Sequence, residues 1–129
     1  MTRPIVGRNL LAIVVALGMT AACSGAAEEA SGDVDSFEVS TSQLYVTVSN
    51  RTGSSLLDVK IEVEPVGSAT VFSSTYPRME PGERRNFPVQ EFRGEDGTPL
   101  NLRVHRPRMV SVSARNQNDE QFAMRTPWQ

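Results

Sequence analysis

Three features of the sequence predict an all-β fold, a single antiparallel sandwich of about seven short strands over residues 37–129. Apolar and polar residues alternate with period two, turn-forming clusters recur every ten or so residues, and no stretch shows helical amphipathic spacing. A domain of this length can bury one modest core.

The elements follow in order. Leu44, Val46 and Val48 alternate with polar neighbours, and Leu57, Val59, Ile61 and Val63 alternate with Asp58, Lys60, Glu62 and Glu64. Each set reads as a half-buried strand with one wet face. The turn-rich link Asn50 to Ser55 predicts that the two form a hairpin. Ala69 to Tyr76 is β-prone with ambiguous alternation. Arg84 to Phe92 contains Pro88, which cannot donate to a ladder and so belongs on an edge or bulge. Between them, Glu80-Pro81-Gly82-Glu83 has the central residues that a type II turn favours. Leu100, Leu102 and Val104 predict a further strand, paired across the turn Arg106-Pro107-Arg108 with Val110, Val112 and Ala114. A last short strand holds Phe122 and Met124.

The N-terminus has a different logic. Arg3 and Arg8 precede the uncharged run Leu10 to Met19, and Thr20, Ala21 and Ala22 are small. This is the three-part pattern of a secretory signal peptide over residues 1–22. Ten helical residues rise only about 15 Å, roughly half a hydrocarbon core, so the run is too short to span. Residues 23–36 are rich in Ala, Gly, Ser and acids, with Val34 the single large apolar side chain, and predict a flexible tether. Cys23, the one cysteine of the chain, stands where leader meets tether.

Thr20-Ala21-Ala22-Cys23 resembles the lipobox of bacterial lipoproteins, departing from it at Thr20, where Leu is usual. The resemblance implies that Cys23 carries a diacylglyceryl thioether and becomes the mature N-terminus. It thereby implies a protein held to a bacterial membrane through lipid on Cys23, in the cell envelope and facing the periplasm or exterior. Two or more acyl chains hold a protein stably where one does not. In the domain, Val46-Thr47-Val48-Ser49-Asn50-Arg51-Thr52-Gly53, then Leu56 to Val63, then Met79-Glu80-Pro81-Gly82-Glu83 resemble the layout of bacterial immunoglobulin-like modules of the FxLYD type. That likeness covers about residues 44–92 and implies an immunoglobulin-like sandwich with no catalytic residues to carry over.

From Cys23 onward eleven basic residues face fifteen acidic ones, a net charge of −4, which argues against a nucleic-acid partner. The charge is uneven: residues 28–64 hold eight acids and two bases, and residues 78–115 hold eight arginines and five acids. Arg103, Arg106, Arg108 and Arg115 would share the predicted 100–115 hairpin. They are the candidates for contact with an anionic envelope component or an envelope protein, against the plainer reading of a solvated face paired with nearby acids.

Little else points to chemistry. His105 is the one histidine, expected exposed on the polar face of its strand, and no nucleophile-elbow motif accompanies it. Glu95-Asp96-Gly97 reads as a solvated turn rather than a calcium loop. Soft ligands suit Cu(I), and Met79, His105, Met109 and Met124 are the candidates for a copper carrier, although the methionines also fit core positions. Trp128 is expected to cap the core. The expectation is therefore a non-enzymatic structural or interaction module needing no cofactor, with a small-ligand or copper carrier as the alternative.

Overall fold

Strands form over most of the stretches in which apolar and polar residues alternate. The computed structural model describes residues 29–67 and 69–129. The leader over 1–22, Cys23 and the first part of the tether lie outside the described residues. The strands are β1 (Ser31–Gly32), β2 (Phe37–Thr41), β3 (Tyr45–Asn50), β4 (Leu56–Pro65), β5 (Phe72–Met79), β6 (Arg84–Pro88), β7 (Pro107–Arg115) and β8 (Gln121–Pro127). A single 3-10 turn, Val89–Glu91, follows β6.

Two antiparallel sheets face each other: β1-β8-β7-β4-β5 and β2-β3-β6. Apart from the two-residue β1, this is an immunoglobulin-type order in which β5 pairs with β4 rather than with β6. Phe37, Val46, Val48 and Phe87 from the smaller sheet meet Val59, Ile61, Val63, Phe72, Val110 and Val112 from the larger, all of them buried. Pro88 ends β6, an edge strand, as its missing N–H requires. Glu83 N–H donates to the Glu80 carbonyl and Gly82 sits at φ +78°, the geometry of a type II turn.

Four expectations are corrected. First, β3 and β4 are not a hairpin, because they belong to opposite sheets. The link 51–55 is an arch over the edge of the core, and alternation cannot distinguish the two because either arrangement buries one face. Second, the buried face of β4 is Leu56, Val59, Ile61 and Val63, while Leu57 is half-buried. A β-bulge against β7, where Leu57 pairs with Arg115 and Lys60 with Ser113, shifts the alternation by one residue. Likewise, β3 begins at Tyr45 and Leu44 is 69% exposed.

Third, residues 100–106 form no strand. Val104 and His105 donate their N–H groups to the Asn101 carbonyl, and the Asn101 side chain accepts from the Arg103 N–H at 2.9 Å. This Asx turn, set between Pro99 and Pro107, competes successfully with a ladder. The 100–115 hairpin therefore does not exist, and Pro107 and Arg108 are the first residues of β7. Fourth, the tether is sheet at residues 31–32: Ser31 pairs with Arg125 and Gly32 with Met124. The Asp33 carboxylate accepts from the Ala123 N–H at 2.8 Å and closes the contact.

The sandwich has two ends. The arch end carries the link 51–55, the turn 80–83 and the β7–β8 loop 116–120. The loop end carries the long connection 89–106, the 66–71 link, the start of β3 and the C-terminus, where the Thr41 hydroxyl donates to the Gln129 carbonyl at 2.8 Å. Since β1 runs antiparallel to β8, the chain before Ser31 leaves toward the loop end.

Candidate functional site

The four arginines selected from the sequence are not held as one group. Arg115 lies at the arch end of β7, with Nη2 2.9 Å from the Asp58 carboxylate and Nη1 3.3 Å from Asp119. Arg108 is seven residues away on the same strand, roughly 23 Å along it. Its Nη2 is 3.6 Å from Glu64. Arg103 and Arg106 lie in the loop-end connection, exposed and in no ion pair with any of the described residues. The plainer reading, arginines matched to nearby acids, thus describes Arg108 and Arg115, and of these four only Arg103 and Arg106 have no acidic partner among the described residues.

Glu64 is the busiest acid of the outer sheet face. Arg125 grips it with a fork, Nε to Oε2 at 3.0 Å and Nη2 to Oε1 at 2.9 Å. The Arg125 hydrogen bond and the charges of Arg125 and Arg108 hold the Glu64 carboxyl below the usual range against an opposing desolvation effect. The pair is structural in geometry, tying β4 to β8 across β7.

His105 is not on an exposed strand face. It is half-buried with its ring 4.7 Å from that of Phe72, and the Asn101 N–H points at its Nδ1 from 3.4 Å. The copper candidates are dispersed. Met79 pairs with Leu56 at the arch end, whereas Met109 pairs with Glu64, eight residues further along β4 and about 26 Å away. Both methionines are fully buried. No single ion can be ligated by the two. Among the described residues no three His, Cys, Asp or Glu side chains come together as a metal site would need.

Two shallow depressions of about 320 Å³ mark the surface. One lies between Ala69–Val71 and the Glu95-Asp96 turn, where a backbone hydrogen bond from Thr98 lowers the Asp96 carboxyl from its ordinary value. The other runs over Ser111, Ser113 and Ala123 beside β1, with Glu62 and Arg125 at its margin. Glu62, on the second, is paired with Lys60 at 3.6 Å.

Two features escaped the sequence reading. Asn50 is 1% exposed and organises the arch end. Its Nδ2 donates to the carbonyls of Ser54 and Glu80 at 2.7 and 3.0 Å, and its Oδ1 accepts from the Thr52 hydroxyl at 2.7 Å. Asn116, also buried, accepts the N–H groups of Asn118 and Glu120 at 2.9 Å and so shapes the β7–β8 loop. The signal for both was an Asn at a strand end before a turn, which is frequent enough to carry little information.

The second feature is at the loop end. Leu44, Tyr45, Val66 and Val104 are 69%, 40%, 51% and 72% exposed, and with Val34 they make up the exposed large apolar side chains among the described residues. The Val66 N–H donates to the Arg106 carbonyl at 2.7 Å, and the Val89 N–H donates to the Leu44 carbonyl at 2.9 Å. These bonds tie the β4–β5 link and the β2–β3 loop to opposite ends of the 89–106 connection, which carries Arg103 and Arg106. Trp128 is half-buried, packed against the core, with its N–H on the Arg108 carbonyl. No family model matches the sequence, and no curated protein matches it significantly.

Proposed function

We propose that the chain is a lipid-anchored protein of a bacterial envelope, whose β-sandwich serves as a non-enzymatic structural or interaction module. The observation that carries this reading is Cys23, the one cysteine, standing directly after a charged, apolar and small-residue leader. A thiol that pairs with no other in the chain is accounted for by acylation, and the acidic, Gly- and Ser-containing stretch after it suits a spacer. An immunoglobulin-like module of the FxLYD type is the finer reading of the domain, supported by its strand order and by the Asn50 arch and the type II turn it is bonded to. An envelope component other than nucleic acid is the expected partner, given the net charge of −4 after the leader.

Replacing Cys23 with Ala tests the reading. The parent should fractionate with membranes and yield an N-terminal peptide whose mass includes acyl groups, and the Cys23→Ala protein should appear in the soluble fraction. A variant that stays as membrane-bound as the parent rules the anchor out.

A further inference from the structure

We infer that the loop end of the sandwich is the surface that rests on the membrane, with Leu44, Tyr45, Val66 and Val104 entering the headgroup layer and Arg103 and Arg106 meeting anionic phospholipid. This rests on the lipid anchor proposed for Cys23 and specifies how the anchored domain is oriented.

Three independent observations converge on that end. The first is the direction of the chain: β1 is antiparallel to β8, so β1 is entered from the loop end, where Pro127 closes β8. Eight residue steps separate Cys23 from Ser31, a span of at most roughly 28 Å. Ser31 stands opposite Arg125, only two residues, about 7 Å, from the last residue of β8. Seating the arch end on the membrane instead would require the chain from Cys23 to Ser31 to run back past Gln121, about 14 Å the other way and half of its greatest span.

The second observation is the concentration of exposed apolar side chains at this end, on loops each hydrogen-bonded to an end of the 89–106 connection. Exposed apolar tips flanked by basic residues are a composition suited to a bilayer interface. The third is charge. Arg103 and Arg106 have no acidic partner among the described residues, unlike Arg115 at the arch end, and basic side chains near a negative leaflet are attracted to it. The loop end also carries acids, Glu91 in the turn after β6 and Glu95 and Asp96 beside the β4–β5 link.

Trp128, the one tryptophan, sits at the loop end and reports the orientation directly. The acylated full chain is placed in phosphatidylcholine–phosphatidylglycerol vesicles that carry headgroup-nitroxide lipid. Trp128 should lose most of its emission, and a reporter at the arch end, Asn118→Trp in a Trp128→Phe background, should lose almost none. A variant combining Leu44→Ser, Val66→Ser, Val104→Ser, Arg103→Glu and Arg106→Glu changes only exposed positions and keeps Cys23. It should stay anchored while most of the Trp128 quenching disappears. An acylated chain whose Trp128 is unquenched overturns the orientation alone, even if the arch-end reporter fails to fold, and so does equal quenching of both reporters. A chain recovered in the soluble fraction without acyl groups overturns the anchor and the orientation with it.

Discussion

Arg115 holds Asp58 across the β4–β7 pair, with Nη2 and Nε at 2.9 and 3.0 Å from one carboxylate oxygen, at the point where β4 carries an extra residue. Asp58 sits at φ +52°, a left-handed conformation that Asp tolerates and β-branched residues do not. The ion pair thus closes the bulge that turns Leu56 rather than Leu57 into the core.

That arrangement makes a sharp contrast between neighbours. Leu56→Ala and Ile61→Ala should each cost about 2–5 kcal/mol, and Leu57→Ala less than about 1 kcal/mol. Asp58→Val should cost about 1–3 kcal/mol through backbone strain, while Asp58→Gly, which relieves the strain as it loses the exposed pair, should stay within about 1 kcal/mol of the parent. Urea unfolding midpoints measure all four, and a larger loss at Leu57 than at Leu56 would displace the bulge.

Asn50 supplies a second test, at the arch. Asn50→Ala leaves the Ser54 and Glu80 carbonyls and the Thr52 N–H without their partner and should cost about 2–4 kcal/mol. Asn50→Asp should be pH-dependent. A carboxylate facing carbonyl oxygens in a buried site has its folded-state pKa raised, so the variant is most stable when protonated and loses stability as pH rises from about 4. Thermal melts of the variant between acid and neutral pH, beside the parent, check this.

Glu64 behaves with the opposite sign. Its folded-state pKa is held down chiefly by the Arg125 hydrogen bond, so its contribution is present above the ordinary carboxylate range and fades as pH falls through the lowered value. Glu64→Gln should cost about 1 kcal/mol at pH 7, and the gap to the parent should close progressively below about pH 4. A gap of constant size down to pH 2 would mean that the ionised fork contributes nothing.

Gly32 governs how the start of the domain is held. At φ +84° a Cβ on this residue would collide with the Ala123 carbonyl oxygen. Gly32→Ala should therefore free β1 from β8, costing about 1–2 kcal/mol. The Ala123 amide, bonded to the Asp33 carboxylate, should then exchange its hydrogen much faster, whereas the Ile61 amide in the central strand should follow global stability alone. Unchanged exchange at Ala123 would show that β1 docks without the left-handed glycine.

The sequence by itself determined the fold class and most of the core. Val46, Val48, Val59, Ile61, Val63, Val110 and Val112 were legible because a strand buries alternate side chains wherever its neighbours lie. The Pro-Gly turn and the edge position of Pro88 were legible because their dihedral and hydrogen-bond constraints are local. The tertiary structure decided which strands share a sheet, because a hairpin and an arch produce the same alternation. It also decided the bulge at Asp58, which exists only against β7, and the turn at Asn101, where side-chain hydrogen bonds replaced the strand expected from Leu100, Leu102 and Val104. Site candidates depend on distances between residues far apart in the chain. Only folding could separate Arg115 from Arg106, and only folding could bring Leu44, Val66 and Val104 to one end of the sandwich.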